Sequence, residues 1–184
     1  MRLFVSIDLP EDLTSEVADL QKEFTDANGL RFTDPNQTHV TLKFLGEVSN
    51  ERIPELESAL ETAVTESRVS PFETEYGGLG VFPSLEYISV LWLGVCEGSS
   101  KMTRLQEAIE RKTVELGFDP ENHEFTPHVT IARMDHAGGK EVVQNLICER
   151  DPTIGTTTVR TVMLQKSDLG PNGPVYSTLA SISL

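Results

Sequence analysis

The sequence predicts an α+β protein made of two duplicated α/β units related by pseudo-twofold symmetry. Three observations point to it. The triplet His-Val-Thr occurs in "HVTLKFLG" and again, 89 residues on, in "HVTIAR". The segments around each copy follow one order of strand, helix, strand, helix, strand. No linker-like or low-complexity stretch divides the 184 residues, so the units read as lobes of a single bilobal domain over residues 1–184.

The first unit opens with "RLFVSID", a buried strand. "PEDLTSEVADLQKEF" follows, with Leu13, Val17, Leu20 and Phe24 at helical spacing. "TDPNQT" breaks the chain before a strand over residues 40–45. "SNERIPELESALETAV" is a second amphipathic helix, with Ile53, Leu56, Leu60 and Val64 on one face, and "PFETEYGGLGVFPS" is a strand closed by glycines and proline. In the second unit "YISVLWLGV" takes the place of "RLFVSID". "SSKMTRLQEAIERKTVELG" is a helix opened by Ser or Thr and closed by Gly117. "TPHVTIAR" is the next strand, "GKEVVQNLICE" the next helix and "TTTVRTVMLQKSDL" a strand. A closing hairpin turns at "LGPNGPV" and returns through "YSTLASISL".

Composition narrows the function classes. No run of eighteen apolar residues exists to span a bilayer. The start, "MRLFVSIDLP", lacks the h-region of a signal peptide. Cys96 and Cys148 have neither CxxC nor metal spacing, which points to a reduced, cytoplasmic protein. The net charge of −14 comes from acids scattered among apolar residues rather than from an acidic tail. Lysine is rarer than arginine, and the expectation is a halophile's solvated surface, where salt screens self-repulsion.

In a strand, residues i and i+2 share a face. His39 and Thr41 therefore point one way with Val40 and Leu42 behind, and His128 and Thr130 do the same over Val129 and Ile131. Brought together by a twofold axis, these give two imidazoles and two hydroxyls in one cleft. Such a set suits in-line displacement at phosphorus. One histidine takes a proton from the nucleophile, the other gives one to the leaving oxygen, and each hydroxyl donates to a charged non-bridging oxygen. Histidine fits because its reference pKa of about 6.5 keeps both forms available. Two competing readings are a structural triplet preserved by duplication and a zinc site of His39, His128, His123 and Cys96. No ligand-pair spacing supports the zinc site. His123 in "PENHEF" and His136 in "MDHAGG" read as surface loop residues.

At these residues the chain resembles the bacterial and archaeal RNA 2′,3′-cyclic phosphodiesterases, also called 2′-5′ RNA ligases, of the two-histidine phosphoesterase superfamily. The pieces that carry the resemblance are "RLFVSIDLP", "THVTLKFLGEV", "VLWLGV", "FTPHVTIAR" and "SDLGPNGPVYSTL". The resemblance implies antiparallel-type sheets lining a central cleft with helices outside, and His39, Thr41, His128 and Thr130 as the catalytic set. It implies hydrolysis of a terminal 2′,3′-cyclic phosphate to a 2′-phosphate, reversible 2′-5′ ligation, and no cofactor or metal. The expected partner is RNA with a cyclic phosphate end, such as a tRNA half, met by a monomer.

The resemblance also sets Phe44 and Arg133 against nucleotide, Phe44 by stacking and Arg133 by holding phosphate. Strict alternation from His39 and His128 turns both of them away from the cleft. Where the family often carries a basic residue before "YISVLWLGV", this chain has Glu86 and Tyr87. The catalytic groups are nearly symmetric, so unequal surroundings must select the bond that breaks. The expectation is His39 as acid at the leaving 3′-oxygen and His128 as base for water. Two other functions compete: a phosphodiesterase of a small cyclic phosphate (a nucleotide or an ADP-ribose derivative), and a non-catalytic RNA-end binder, which would be expected to have lost a motif residue.

Overall fold

The predicted alternation and helical spacing recur almost element for element in the structure, a computed structural model that describes residues 1–170 and 173–184. The first unit runs β1 (Arg2–Asp8), α1 (Glu11–Lys22), β2 (Leu30–Phe32), β3 (His39–Glu47), α2 (Ile53–Ser67) and β4 (Phe72–Pro83). The second runs β5 (Ile88–Glu97), α3 (Ser99–Glu115), β6 (His128–Met134), α4 (Lys140–Glu149), β7 (Thr153–Val159) and β8 (Thr161–Gly170), and β9 (Gly173–Ser183) closes the chain. The turn read in "LGPNGPV" includes residues 171 and 172, which lie outside the described residues.

Helical spacing does what it predicted. α1 sends Leu13, Val17 and Leu20 into the core, and Phe24, just past its end, is also buried. Glu11 and Asp12 in its first turn and Lys22 in its last suit the helix dipole. α2 buries Leu56, Leu60 and Val64. α3 begins differently from expectation. Its N-cap is Gly98 at φ 83°, with Ser99 already helical, because a Cβ at residue 98 would meet the Glu73 carbonyl at 2.9 Å. Gly117, at φ 87°, closes the helix as read from the sequence.

All strand pairs are antiparallel, in the order β7-β4-β5-β6-β3-β1-β8-β9, with β2 added beside β6. One lobe is β3, β1, β8 and β9, and the other is β6, β5, β4 and β7. Each unit thus lends its last strand to the other lobe: β4 pairs with β5, and β8 pairs with β1. This exchange corrects the reading of "TTTVRTVMLQKSDL" as one strand. The segment breaks at Arg160, where the chain leaves β7 beside β4 and enters β8 beside β1. β2 is a further addition to the sequence reading, since three residues carry too little periodicity to register.

The lobes meet through one backbone pair, Val40 with Val129. Among the polar contacts that cross between the units, two hold the motif strands from below. Gln21 of α1 donates through Nε2 to the carbonyls of Ile131 (2.9 Å) and Thr33 (2.8 Å). At the equivalent place in α3, 89 residues on, Glu110 forms an ion pair with Lys43 of β3 at 2.9 Å. Lys43 is almost wholly buried and also donates to the Asp119 carbonyl at 2.6 Å, tying down the loop before β6.

A buried ammonium left without its carboxylate is costly, whereas an apolar pair in its place is close to neutral. Glu110→Ala leaves Lys43 only the more distant Glu121 carboxylate, 3.9 Å away, and should lower stability by about 3 kcal/mol. The double variant Lys43→Met, Glu110→Leu should recover most of it. Urea unfolding of the three proteins checks this.

Candidate active site

β3 and β6 carry the two triplets, and the single Val40–Val129 pair fixes how they meet. Antiparallel order about that pair sets His39 beside Thr130 and Thr41 beside His128. The four side chains are half-buried, while Val40, Leu42, Val129 and Ile131 behind them are buried. The two imidazoles are near enough that the charge of His128 lowers the pKa of His39.

The rings are held alike. Nδ1 of His39 lies 2.9 Å from the Gln37 carbonyl oxygen, and Nδ1 of His128 lies 2.7 Å from that of Thr126. A carbonyl only accepts, so Nδ1 carries the hydrogen in both rings, and Nε2 is the nitrogen that exchanges protons. Aromatic walls complete each seat. Phe4 and Tyr176 lie 4.9 and 5.2 Å from His39, and Phe82 and Trp92 lie 4.9 and 6.0 Å from His128. Burial lowers the pKa of both histidines. The backbone acceptors work against it, and the field of Arg133 adds to the lowering at His128.

Phe44 and Arg133 depart from strict alternation for a local reason. In β3 the register jumps from Val5–Lys43 to Ser6–Thr41, which inserts Leu42 as an extra residue. In β6 it jumps from Leu91–Ala132 to Trp92–Thr130, which inserts Ile131. Each β-bulge resets the alternation by one residue and returns the next outward side chain to the histidine face. The burial runs agree: Leu42 and Lys43 are buried and Phe44 is 63% exposed, while Ile131 and Ala132 are buried and Arg133 is exposed. The Phe44 ring lies 6.3 Å from that of Phe4, and the charge of Arg133 is felt by both His128 and Tyr176. Arg133 forms no ion pair among the described residues.

Several neighbours are not singled out by the sequence. Asp8, Gln165, Tyr176 and Thr178 line a cavity of about 200 Å³ next to His39. Trp92 is the register partner of Thr130, and its indole nitrogen is buried without a partner among the described residues. These residues sit on strands outside the two motif strands, so only long-range register could reveal them. His123 and His136 are exposed, as expected of loop histidines. No group of three His, Cys, Asp or Glu side chains gathers in a metal-holding arrangement among the described residues. No helix among them is long and apolar enough to cross a membrane. Glu86 and Tyr87 stand before β5 as read, and Lys140 of α4 reaches the Glu86 carbonyl at 3.3 Å, bringing a cation there from another element.

The depressed histidines link stability to pH. Above the ordinary value of about 6.5 both are neutral whether folded or unfolded. As pH falls through it, the unfolded chain binds protons before the folded one, and stability drops until the lower, folded values are passed. The unfolding free energy should fall between pH 7 and pH 5, with a shallower slope in His39→Gln. Denaturant titrations across that range measure both.

Comparison with known proteins agrees with this geometry. The sequence model of the 2′-5′ RNA ligase superfamily matches residues 8–171. A Methanothermobacter thermautotrophicus protein named RNA 2′,3′-cyclic phosphodiesterase is 33% identical, covering 97% of this chain and 96% of that one. A protein of the same name from Methanocaldococcus jannaschii is 32% identical over 97% and 98% of the two chains. Among solved structures, one from Thermus thermophilus superposes with a TM-score of 0.80 at 28% identity, covering 100% of this chain and 98% of that one. LigT of E. coli, complexed with 3′-AMP, shares the fold at a TM-score of 0.77 and 24% identity, over 100% and 97% of the chains. With its family signature running through both lobes, the chain belongs to the 2′-5′ RNA ligase superfamily.

Proposed function

We propose that the chain hydrolyses the terminal 2′,3′-cyclic phosphate of RNA to a 2′-phosphomonoester, with His39, Thr41, His128 and Thr130 as its catalytic set and without metal or ATP. The observation that carries this reading is the pair of half-buried imidazoles, each with Nδ1 tied to a carbonyl and Nε2 free, on a face shared by two hydroxyls. The names of the two archaeal relatives support the same chemistry and substrate.

In this mechanism water attacks phosphorus opposite the 3′-oxygen while one Nε2 removes its proton. The P–O3′ bond breaks and the second Nε2 delivers a proton to the departing oxygen, leaving a 3′-hydroxyl and a 2′-phosphate. The threonine hydroxyls donate to the non-bridging oxygens as their charge grows. Arg133 holds the phosphate from the side of His128, and Phe44 offers an exposed ring for a base to stack on. With an RNA 5′-hydroxyl attacking in place of water, the same steps join ends through a 2′-5′ bond, and their reversal cleaves it. The strongly acidic chain suits contacts confined to the cleft rather than long-range attraction of RNA, since at ~1 M salt the Debye length is about 3 Å. We place the protein in the cytoplasm of a halophile, working as a monomeric single domain on ends such as those of tRNA halves.

The test is the product. An oligonucleotide with a 2′,3′-cyclic end, incubated with EDTA present throughout, should yield the 2′-phosphate by phosphorus NMR against both isomeric standards. A mainly 3′-phosphate product sinks the assignment and leaves two-histidine catalysis standing. Equal kcat/KM on a cyclic mononucleotide would move the substrate to small cyclic phosphates.

His39→Ala and His128→Ala should each fold and each lose roughly 10²–10⁴ in rate, because each removes a proton-transfer group. The pH profile of kcat/KM should be a bell belonging to the pair, with its maximum on the acid side of 7, because burial lowers both values. Steady-state kinetics of the two variants, and a wild-type profile from about pH 4.5 to about 8.5, decide both points.

A further inference from the structure

The pseudo-twofold axis repeats the histidines, the threonines, the Nδ1 acceptors and the bulges, but it fails to repeat two charges. The register partner of His39 is Asp8, whereas the register partner of His128 is Gly94. The residue five places after His128 is Arg133, whereas the one five places after His39 is Phe44. A carboxylate therefore stands beside one imidazole and a guanidinium beside the other.

The carboxylate is held in place. One oxygen of Asp8 accepts the Ser6 hydroxyl at 2.8 Å, and the other accepts Nε2 of Gln165 at 2.8 Å. Gln165 is fixed in turn by the Thr178 hydroxyl, which donates to its Oε1 at 3.2 Å. Asp8 and His39 line the same cavity. Facing His39 are Asp8 and the Phe4 ring from β1, Tyr176 from β9 and His128 from β6. Tyr76 of β4, whose pKa is raised first by burial and then by the charge of Asp8, keeps its proton and adds no charge. Facing His128 are Phe82, Trp92 and Arg133.

Resting on the phosphodiesterase reading, we propose that Asp8, braced by Ser6 and Gln165, is a positioning residue that makes His39 rather than His128 the proton donor. Two imidazoles in one cleft repel each other's charge, so one proton is shared between two sites and small differences decide its place. The Asp8 carboxylate attracts it to His39, and the Arg133 guanidinium repels it from His128. These two charge asymmetries act in one direction, against the burial of His39 and the repulsion from His128 that oppose a proton there. His39 thus enters the reaction as imidazolium and His128 as the neutral base, which fixes the side from which water attacks and the oxygen that departs.

The experiment is an NMR titration of both imidazoles in the substrate-free protein, beside the pH profile of kcat/KM on a cyclic-ended RNA. In the wild type His39 should titrate above His128, an order that needs no variant to observe. Asp8→Asn keeps the size of the side chain and a carbonyl for Ser6. It should lower the His39 midpoint with little change at His128, and reduce kcat/KM above neutral pH by roughly two- to tenfold, as expected for one screened charge. Asp8→Glu should restore most of both effects. The reversed order in the wild type overturns the proposal. So does an unmoved His39 in Asp8→Asn, even if activity or melting temperature falls, since that outcome leaves Asp8 a structural role only. The titration needs no substrate, so a failure of the phosphodiesterase reading shows in the product assay and not here.

Discussion

One backbone pair, Val40 with Val129, is the junction on which the site depends. Because β3 and β6 touch there and pair no further, the lobes part on either side and leave room between them for a ligand. Because the contact falls at the middle residue of both triplets, each histidine stands beside the threonine of the other. A register slip of one residue would bury the histidines and expose the valines. The core guards against that slip, since Val40, Leu42, Val129 and Ile131 are all at most 2% exposed. Rigidity comes to the chemistry from apolar packing one residue away.

The bulges extend the site beyond the reach of a regular strand. An alternating strand offers one face a residue every second place, which supplies a histidine and a threonine and then continues past the cleft. Inserting Leu42 and Ile131 brings Phe44 and Arg133 back to that face. A bulge disturbs the ladder, and here the disturbance is met from below. The Ile131 carbonyl accepts Gln21 Nε2 and the Thr33 backbone N–H, and Lys43 beside the other bulge is neutralised by Glu110. Two helices thus reach across to the strand of the opposite unit, and the same polar atoms hold the lobes together and shape the cleft.

The sequence makes some of this legible and conceals the rest for definite reasons. His39, Thr41, His128 and Thr130 are visible because duplication prints the same triplet twice in a chain with four histidines. The helices are visible because Leu13, Val17 and Leu20, or Leu56, Leu60 and Val64, recur at a period that strands do not share. The bulges are not, since an extra Leu or Ile in an apolar run looks like any core residue. Phe44 and Arg133 come into view through likeness to relatives, and local alternation argues against them. Asp8, Tyr176 and Trp92 stay hidden because their place beside the histidines comes from pairing between distant strands. The break at Arg160 is hidden for the same reason: the chain changes lobes there without a glycine or proline to mark it.

The exchange of the units' last strands bears on how the chain is made. β1 lies between β3 and β8, and β8 leaves the ribosome only after β1 to β7 have done so. Until it emerges, the apolar strand with Leu3, Phe4, Val5 and Ile7 has an open edge, a template for pairing with another chain. The N-terminal half therefore cannot mature ahead of the C-terminal half, and a nascent chain stalled before residue 161 would expose that edge. Covering the edge and completing the cleft are one event, because the strand that covers the edge also carries Gln165, the brace of Asp8 beside His39.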